Sequence, residues 1–310
     1  MKKIFIAMMA MAAFAACATE DTIVTPQGAA IAFGDAFVDN ATKAIYESAE
    51  AITCFTVFGN VVATADVDTA IPVALYGNGA AVTRDGAALG AAWTCDVTRY
   101  WTPSCTFNFA AIANGTATEI VEGLPTEISY TIDADDPADL IYATASATTE
   151  PDCTPSVASG IVPFTFNHLL AKMYFNVTSG LDPAYSIEVK SISVTGFENK
   201  GVYTISPAGW AKAADSAAET TLTFANGEDG AKVIIPVNQT LSVIVTYDVK
   251  FGGTTISTDA TKTGTIAQYT YKENTVYKIS AAIDLNEIQF TTTALSGFGS
   301  PEQDGTVTIQ

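Results

Sequence analysis

The chain has 310 residues, of which 48% are hydrophobic and only 15% are charged, and its formal net charge is −19. This length supplies enough apolar side chains for one large domain or two ordinary ones. Such an excess of acid repels nucleic-acid phosphates and anionic lipid headgroups, so we exclude nucleic acid as a partner and interpret the acidity as a source of solubility.

The N-terminus has the features of an export signal. Lys2 and Lys3 precede an apolar stretch at residues 4–16 that is too short to span a bilayer as a helix, and small residues stand directly before Cys17. This order is similar to a bacterial lipobox, which predicts that the lipoprotein signal peptide 1–16 is removed and that acyl chains on Cys17 anchor the protein in the outer membrane. An ordinary signal peptide cleaved nearby is the alternative. Residues 17–28 are polar and predict a tether.

Short segments with alternating apolar residues predict an all-β domain over residues 29–155. The segments are rich in Val, Thr, Tyr, Phe and Ile, and turn-forming pairs such as Gly59-Asn60 separate them. Residues 137–142 predict a single helical turn. A stretch rich in Pro, Ser and Thr at 150–160 predicts a domain boundary at 155/156.

The second half of the chain, residues 156–310, predicts a second all-β domain. Phe164, Phe166 and His168 share one parity, whereas Met173 and Phe175 share the other. This switch predicts either a bulge or two strands that meet at a bend. The number of strand segments along the whole chain suits two β-sandwiches in tandem.

Four cysteines follow Cys17, at positions 54, 95, 105 and 153. Export would place them in an oxidising compartment, and Cys95 and Cys105 are close enough in sequence to close a local disulfide loop. Free buried thiols are the alternative. Neither the spacing of these cysteines nor the single histidine fits a metal site, so we predict no metal and no other cofactor.

Catalytic constellations are missing from the sequence. The single histidine, His168, lies on the apolar parity of its segment and is interpreted as structural, and the acidic pairs Asp135-Asp136 and Glu228-Asp229 lie in turn-like contexts. No phosphate-binding loop or nucleophile elbow occurs. The sequence therefore predicts that the protein is not an enzyme.

Aromatic side chains offer an alternative function. Trp93, Tyr100, Trp101 and Trp210 have ring faces that sugars can stack on, although packing inside a β-sandwich is the commoner use of such rings. A monomeric surface lipoprotein that binds glycans through Trp93 or Trp101 is thus the second hypothesis.

Five blocks, in this order along nearly the entire chain, carry a resemblance to a known family. They are the strand after the lipobox with Asn40-Ala41-Thr42-Lys43-Ala44, then Phe55-Thr56-Val57-Phe58-Gly59, Trp93 to Pro103 continuing through Phe107-Asn108-Phe109-Ala110-Ala111, Pro163 to Met173, and Ile288-Gln289-Phe290-Thr291. Together with the lipobox, they resemble the fimbrillin-like families of the Bacteroidales, which include pilins, tip subunits and anchor subunits.

The resemblance implies a pilus subunit with two transthyretin-like β-sandwich domains, exported as a lipoprotein to the cell surface. In such proteins a protease removes the N-terminal strand after a basic residue, usually Arg, and the opened groove accepts a C-terminal strand from the neighbouring subunit. Lys43 is the first basic residue after Cys17 and would be the processing site here. Because it is not Arg, an anchor-like subunit that keeps its strand and its lipid is the alternative.

The same resemblance implies that residues 306–310, with Val307 and Ile309 on one parity, form the donor strand. A terminal edge strand of the same domain is the alternative. The implied partners are other pilus subunits and the outer membrane, with host glycans or proteins as targets of adhesion.

Overall fold

The computed structural model describes residues 28–38, 52–86, 92–135, 137–216, 219–284, 288–296 and 305–307. Within these ranges the secondary structure consists of β-strands and short 3-10 helices, and no α-helix occurs. The predicted all-β class is confirmed, whereas the transthyretin-like arrangement stays a prediction. In the same ranges, no helix has the length and hydropathy needed to cross a membrane.

The strands are numbered in chain order. The first ten are β1 (Ala32–Val38), β2 (Cys54–Ala63), β3 (Val73–Ala74), β4 (Ala80–Arg84), β5 (Trp93–Cys95), β6 (Cys105–Ala113), β7 (Thr116–Val121), β8 (Leu124–Thr131), β9 (Ile141–Thr148) and β10 (Ile161–His168). The others are β11 (Ala171–Ser179), β12 (Tyr185–Glu198), β13 (Lys200–Thr204), β14 (Gly209–Lys212), β15 (Glu219–Phe224), β16 (Lys232–Ile234), β17 (Asn238–Phe251), β18 (Thr254–Thr270), β19 (Thr275–Ile283), β20 (Ile288–Ser296) and β21 (Gly305–Val307). The 3-10 helices are Thr64–Asp66, Ala158–Gly160 and Glu228–Gly230.

The strands form four sheets. The largest has eight strands in the order β1-β10-β9-β6-β2-β4-β5, with β3 paired to β2. The other sheets have the orders β16-β11-β19-β20-β21, β15-β12-β17-β18 and β14-β13-β8-β7. All pairs in the largest sheet are antiparallel except β1 with β10, which is parallel.

The first core lies on one face of the eight-stranded sheet. Strand β6 shows why, because Phe107, Phe109 and Ala111 point to this face while Ala110 and Ile112 point to the other, as the alternation of a strand requires. The buried members of the first core are Ile31, Phe33, Ile52, Phe55, Val57, Leu75, Tyr76, Ala80, Val82, Trp101, Phe107, Phe109, Ala111, Ala113, Ile141, Ala143, Ala147, Val162, Phe164 and Phe166.

The second core joins the other three sheets. Phe175 on β11 and Tyr277 on β19 pack toward Phe197 on β12 and Phe224 on β15, so two sheets share one apolar interior as in a sandwich. Ile128 and Tyr130 of β8 extend this core toward the outer face of the eight-stranded sheet.

The first sheet continues past the predicted boundary at 155/156. Strand β10 pairs with β9 and β1, and Val162, Phe164 and Phe166 lie in the first core. The chain then bends at Leu169 and Leu170 and enters another sheet as β11. The switch of parity is therefore two strands that meet at a bend, and the division into two domains stays a prediction.

Two local predictions were wrong. Gly59-Asn60 is no turn but lies inside β2, where a Cβ on Gly59 would lie 3.0 Å from the ring of Phe109 and Asn60 donates to the carbonyl of Glu122 at 2.9 Å. Residues 137–142 form no helical turn, because the buried Asp139 bonds to a side chain on β10 instead.

Candidate functional site: the seat of the N-terminal strand

The N-terminal segment 28–38 closes a gap between the two ends of the eight-stranded sheet. On one side β1 runs parallel to β10, with Ala32 opposite Ile161 and Val38 opposite Phe166. On the other side the segment bonds to residues 99–101. We call the slot between β10 and residues 99–101 the groove.

Two backbone hydrogen bonds fix the segment to the second wall of the groove. Ile31 N donates to Arg99 O at 2.8 Å, and Trp101 N donates to Ala29 O at 3.1 Å. Without the segment, the carbonyl of Arg99 and the N–H of Trp101 would lose these partners, and a buried polar group without a partner is unfavourable.

Phe33 is the main side chain that the segment inserts into the first core. Its ring is 5% exposed and stacks on Phe164 with centroids 5.9 Å apart. Phe55, Phe109 and Tyr76 surround it at 6.1–6.3 Å. Ile31, two residues earlier and therefore on the same face, is also buried. The segment thus completes an aromatic core that the other strands leave open.

The seat is tight enough to require glycine. A Cβ on Gly28 would lie 2.3 Å from the carbonyl oxygen of Trp101, and one on Gly34 would lie 2.6 Å from a methyl group of Ile161. The backbone therefore approaches both walls more closely than a side chain permits.

The C-terminal strand is paired within its own chain. β21 lies at the edge of the five-stranded sheet, where Thr292 is opposite Val307 and Ala294 is opposite Gly305. A single chain therefore adopts the edge-strand arrangement, one of the two alternatives that the sequence left open. Cys17, Lys43 and Ile309 lie outside the described residues.

The predicted disulfide between Cys95 and Cys105 does not fit the fold. Cys95 is level with Phe55 of β2, because both pair with Val82, whereas Cys105 pairs with Ala63 at the other end of β2. At about 3.3 Å per residue these levels are roughly 26 Å apart along the strand. A disulfide needs Cα atoms within about 7 Å, so this pairing is excluded.

His168 forms a buried hydrogen-bonded pair with Asp139 between the two cores. Its Nδ1 lies 2.5 Å from Oδ2 of Asp139, and both side chains are fully buried. Burial raises the pKa of the Asp139 carboxyl, while the hydrogen bond from His168 and the charge of Lys172 act against that rise. The pair is closed to solvent and holds the start of β9 to the end of β10.

The tryptophans are used mainly for packing. Trp101 is completely buried against Phe107, with ring centroids 4.8 Å apart. Trp93 packs against Phe55 at 5.2 Å and lies under the guanidinium of Arg84. Trp210 donates its indole N–H to the carbonyl of Leu169 at 2.6 Å.

The acidic pairs give no metal centre in the described ranges. Asp133 accepts a hydrogen bond from the backbone N–H of Asp135 at 3.0 Å, as in a solvated turn, while Asp136 lies outside these ranges. Glu228 and Asp229 lie in an exposed 3-10 helix. No group of three metal-ligating side chains occurs among the residues that the structure describes.

The chain is an all-β protein, and its candidate site is a groove in the first core that its own N-terminal strand fills. A family model described as fimbrillin-like matches residues 42–295, and the chain belongs to this family. The resemblance had implied an N-terminal strand, but residues 99–101 were missed as its partner because they carry no alternating pattern.

Solved structures share the fold. A fimbrial protein from Bacteroides vulgatus has a TM-score of 0.58 at 15% identity, with 86% of this chain and 99% of that chain covered. A candidate cell adhesion protein from Bacteroides uniformis has a TM-score of 0.52 at 13% identity, with 87% and 98% covered. No curated protein sequence matches the chain.

Proposed function

We propose that the protein is a structural, non-catalytic subunit of a cell-surface fimbrium that supports adhesion. It is exported as a lipoprotein through Cys17 and assembles by exchange of β-strands between subunits. The observation that carries this proposal is the N-terminal segment, because it occupies a groove that another extended strand can also fill.

Processing supplies the opening of the groove. Lys43 lies after the strand, so cleavage there separates the segment 28–38 from the rest of the chain. Backbone pairing and the packing of Ile31 and Phe33 then hold the segment in place. Its departure exposes the edge of β10 and the aromatic rings of the first core, and both favour the entry of a new strand.

The C-terminus supplies a suitable replacement. Val307 and Ile309 repeat the spacing of Ile31 and Phe33, so a strand from a neighbouring subunit can direct two apolar side chains into the same core. Within its own chain β21 pairs with only a short part of β20, so releasing it breaks few hydrogen bonds.

Adhesion is proposed for the assembled fimbrium, with host glycans or proteins as its targets. The family and the fold shared with a fimbrial protein support this role. Glycan binding by the monomer through Trp101 has lost its basis, since that ring is buried in the first core.

The test is the assembly state of protein sheared from its native cells, measured on an unboiled denaturing gel and by intact mass. We expect a ladder of resistant oligomers with chains that begin at Ala44, and retention of full-length chains in Lys43→Ala. The double variant Val307→Asp/Ile309→Asp should abolish the ladder because charge cannot enter the first core.

Thr308→Asp is the matched control, because it adds one charge on the other parity of the same segment and should leave the ladder intact. A normal ladder from the double variant would refute strand donation by the C-terminus. A single wild-type species that is lipidated at Cys17, with no ladder, would contradict polymerisation and indicate an anchor subunit.

A further inference from the structure

The geometry points to a disulfide between Cys105 and Cys153 that fastens the end of the groove. The two residues are far apart in sequence and adjacent in the fold, whereas Cys54 and Cys95 are level with the start of β2, at the opposite end of that strand from Cys105. In the cell the bridge rests on the export step of the proposed function, whereas its formation in the purified chain does not.

Backbone hydrogen bonds bring the two cysteines together. Cys105 and Thr149 are directly paired, because Thr149 N donates to Cys105 O at 2.9 Å and Cys105 N donates to Thr149 Oγ1 at 2.9 Å. The chain then turns, and Glu150 O accepts from Ser104 N at 3.2 Å and from Cys153 N at 3.0 Å. The carbonyl of Glu150 therefore binds both Ser104, the neighbour of Cys105, and Cys153. The backbone nitrogens of Ser104 and Cys153 lie within two hydrogen-bond lengths of each other.

Both thiols are free in the structure, and Cys105 Sγ donates to the carbonyl of Pro103 at 3.2 Å, so the bridge forms when this thiol turns from that carbonyl toward Cys153. Cys105 is half-buried at the rim of the first core, and Cys153 is buried. Burial, followed by the charges of Asp152 and of the Cys105 thiolate, raises the pKa of the Cys153 thiol. Cys153 also has a φ of 70°, which glycine would adopt with less strain, so the turn keeps a thiol where a more relaxed residue would fit.

The other pairings fail on geometry. Cys95 lies at the far end of β2 from Cys105, as described above. Phe55 and Cys95 both pair with Val82, so their side chains lie on the same face of the sheet. Cys54 is exposed and precedes Phe55 directly, so its side chain lies on the opposite face from Cys95.

The chemistry is thiol–disulfide exchange with an oxidant of the disulfide class, such as oxidised glutathione or a disulfide oxidoreductase. The more accessible Cys105 attacks as a thiolate, forms a mixed disulfide and releases one reduced thiol from the oxidant. The thiolate of Cys153 then attacks the sulfur of Cys105 and releases the second. The cysteines lose two protons and two electrons, and the oxidant gains them as two thiols.

The position of the bridge links it to the groove. A Cβ on Gly28 would lie 3.0 Å from Cβ of Cys153 and 2.3 Å from Trp101 O, so the N-terminal segment begins directly over this site. Cys105 follows residues 99–101, which form one wall, and Cys153 precedes β10, which forms the other. A bond between the two cysteines therefore connects the two walls. The bridge therefore holds this end of the groove at fixed width when the segment leaves.

The experiment uses the purified full chain, reduced and then equilibrated with oxidised glutathione. Proteolytic mapping without reductant should give one linked peptide pair that contains Cys105 and Cys153, with Cys54 and Cys95 open to alkylation. The thermal midpoint should rise by about 5 °C on oxidation, since the bridge closes a long loop. Cys105→Ser and Cys153→Ser should abolish that rise, whereas Cys54→Ser and Cys95→Ser should retain it.

Mapping of the wild-type chain needs no variant, so an unfolded variant cannot obscure the result. Complete alkylation of Cys105 and Cys153 after oxidation, or a link from either of them to Cys95, would overturn the inference. A chain that forms the bridge but gives no oligomer ladder on cells contradicts the proposed function alone.

Discussion

The two cores differ in how the chain completes them. The first core is closed by a segment from the N-terminus, which has one parallel neighbour and short contacts with residues 99–101. The second core is built from long internal strands with paired neighbours, such as β17 and β18, which form a hairpin from residue 238 to 270, and β11, which pairs along its length with β19. A core closed by a terminal segment can be opened by removing that segment while every other strand stays connected.

The difference also determines which side chains can be exchanged. The first core takes from its terminal segment an apolar pair at positions i and i+2, and each such side chain contributes about 1.5–3 kcal/mol when it is buried. An unrelated strand with the same spacing can replace that contribution. In the second core β11 lies between β16 and β19, and no terminal segment can replace such an internal strand.

The largest expected effect comes from one truncation in each core. Phe33→Ala and Phe175→Ala remove the same side chain from buried sites, and each should cost about 3–5 kcal/mol of unfolding free energy. In Phe33→Ala the whole segment should detach, because Phe33 is its main anchor. Hydrogen exchange should then accelerate in β10 and residues 99–101 while β12 and β17 stay protected. Phe175→Ala should show the reverse pattern.

Equal acceleration of exchange throughout both cores in either variant would contradict this comparison, because the cores would then unfold as one unit. Adding a synthetic peptide with the sequence of residues 28–38 separates the two losses further. It should restore protection to a chain that lacks residues 1–38 and have no effect on Phe175→Ala.

Sequence patterns predicted the strands better than their partners. Alternation identified β8 and β17 because one face of each is apolar. It missed β7 and β9, where the large apolar residues are adjacent pairs, Ile120-Val121 and Ile141-Tyr142, and the remaining residues are small or polar. The pairing of β1 with β10 was also beyond prediction, since it joins residues about 130 positions apart and parallel neighbours leave no turn to read.

Single residues were misinterpreted where tertiary contacts override local preference. Gly59 and Asn60 have the composition of a turn, yet packing against Phe109 and a bond to Glu122 keep them inside a strand. Asp139 lies in a stretch that suits a helical turn but is held in place by His168. The residues next to Asp139 and Asn60 in sequence do not indicate hydrogen-bond partners that lie 29 and 62 residues away.

The buried pair of His168 and Asp139 gives the next largest effect. His168→Leu leaves the Asp139 carboxyl buried without its main partner, which should cost about 3 kcal/mol at pH 7. Burial raises the pKa of Asp139 in the folded state, and the variant loses the bond that opposes this rise. Below about pH 4 the carboxyl is protonated in both the folded and the unfolded state, so its raised pKa does not lower the free energy of unfolding. As the pH rises from there through the folded-state pKa, the free energy of unfolding falls.

Urea unfolding of His168→Leu and the wild type at several pH values checks this prediction. The gap between them should be widest near neutral pH and should narrow toward pH 4. Asp139→Leu is the matched control, because it removes the carboxyl and should lose this pH dependence. A constant gap for His168→Leu would show that lost packing, not the buried carboxyl, accounts for the destabilisation.

The smallest expected effect lies in the second region alone, where Lys190 of β12 meets the ribbon of β17 and β18. Lys190 Nζ lies 2.8 Å from a carboxylate oxygen of Asp248 and of Asp259, where the register of the two strands shifts. The bond to Lys190, and then that from the backbone N–H of Asp259, lowers the pKa of Asp248. A lowered carboxyl pKa gives stability that is present above about pH 4, the unfolded value, and is lost as the pH falls through the folded pKa.

Lys190→Ala should therefore lower the thermal midpoint by about one degree at pH 7, since the lysine is exposed to solvent and such pairs contribute little, and the difference should vanish near pH 2. Lys232→Ala removes the same charge from β16 and should show no such pH dependence. Exchange in the first core should be unchanged by either substitution. If Lys190→Ala changed the hydrogen-exchange protection of β10, the ribbon and the groove would be coupled, and the two cores would not unfold independently.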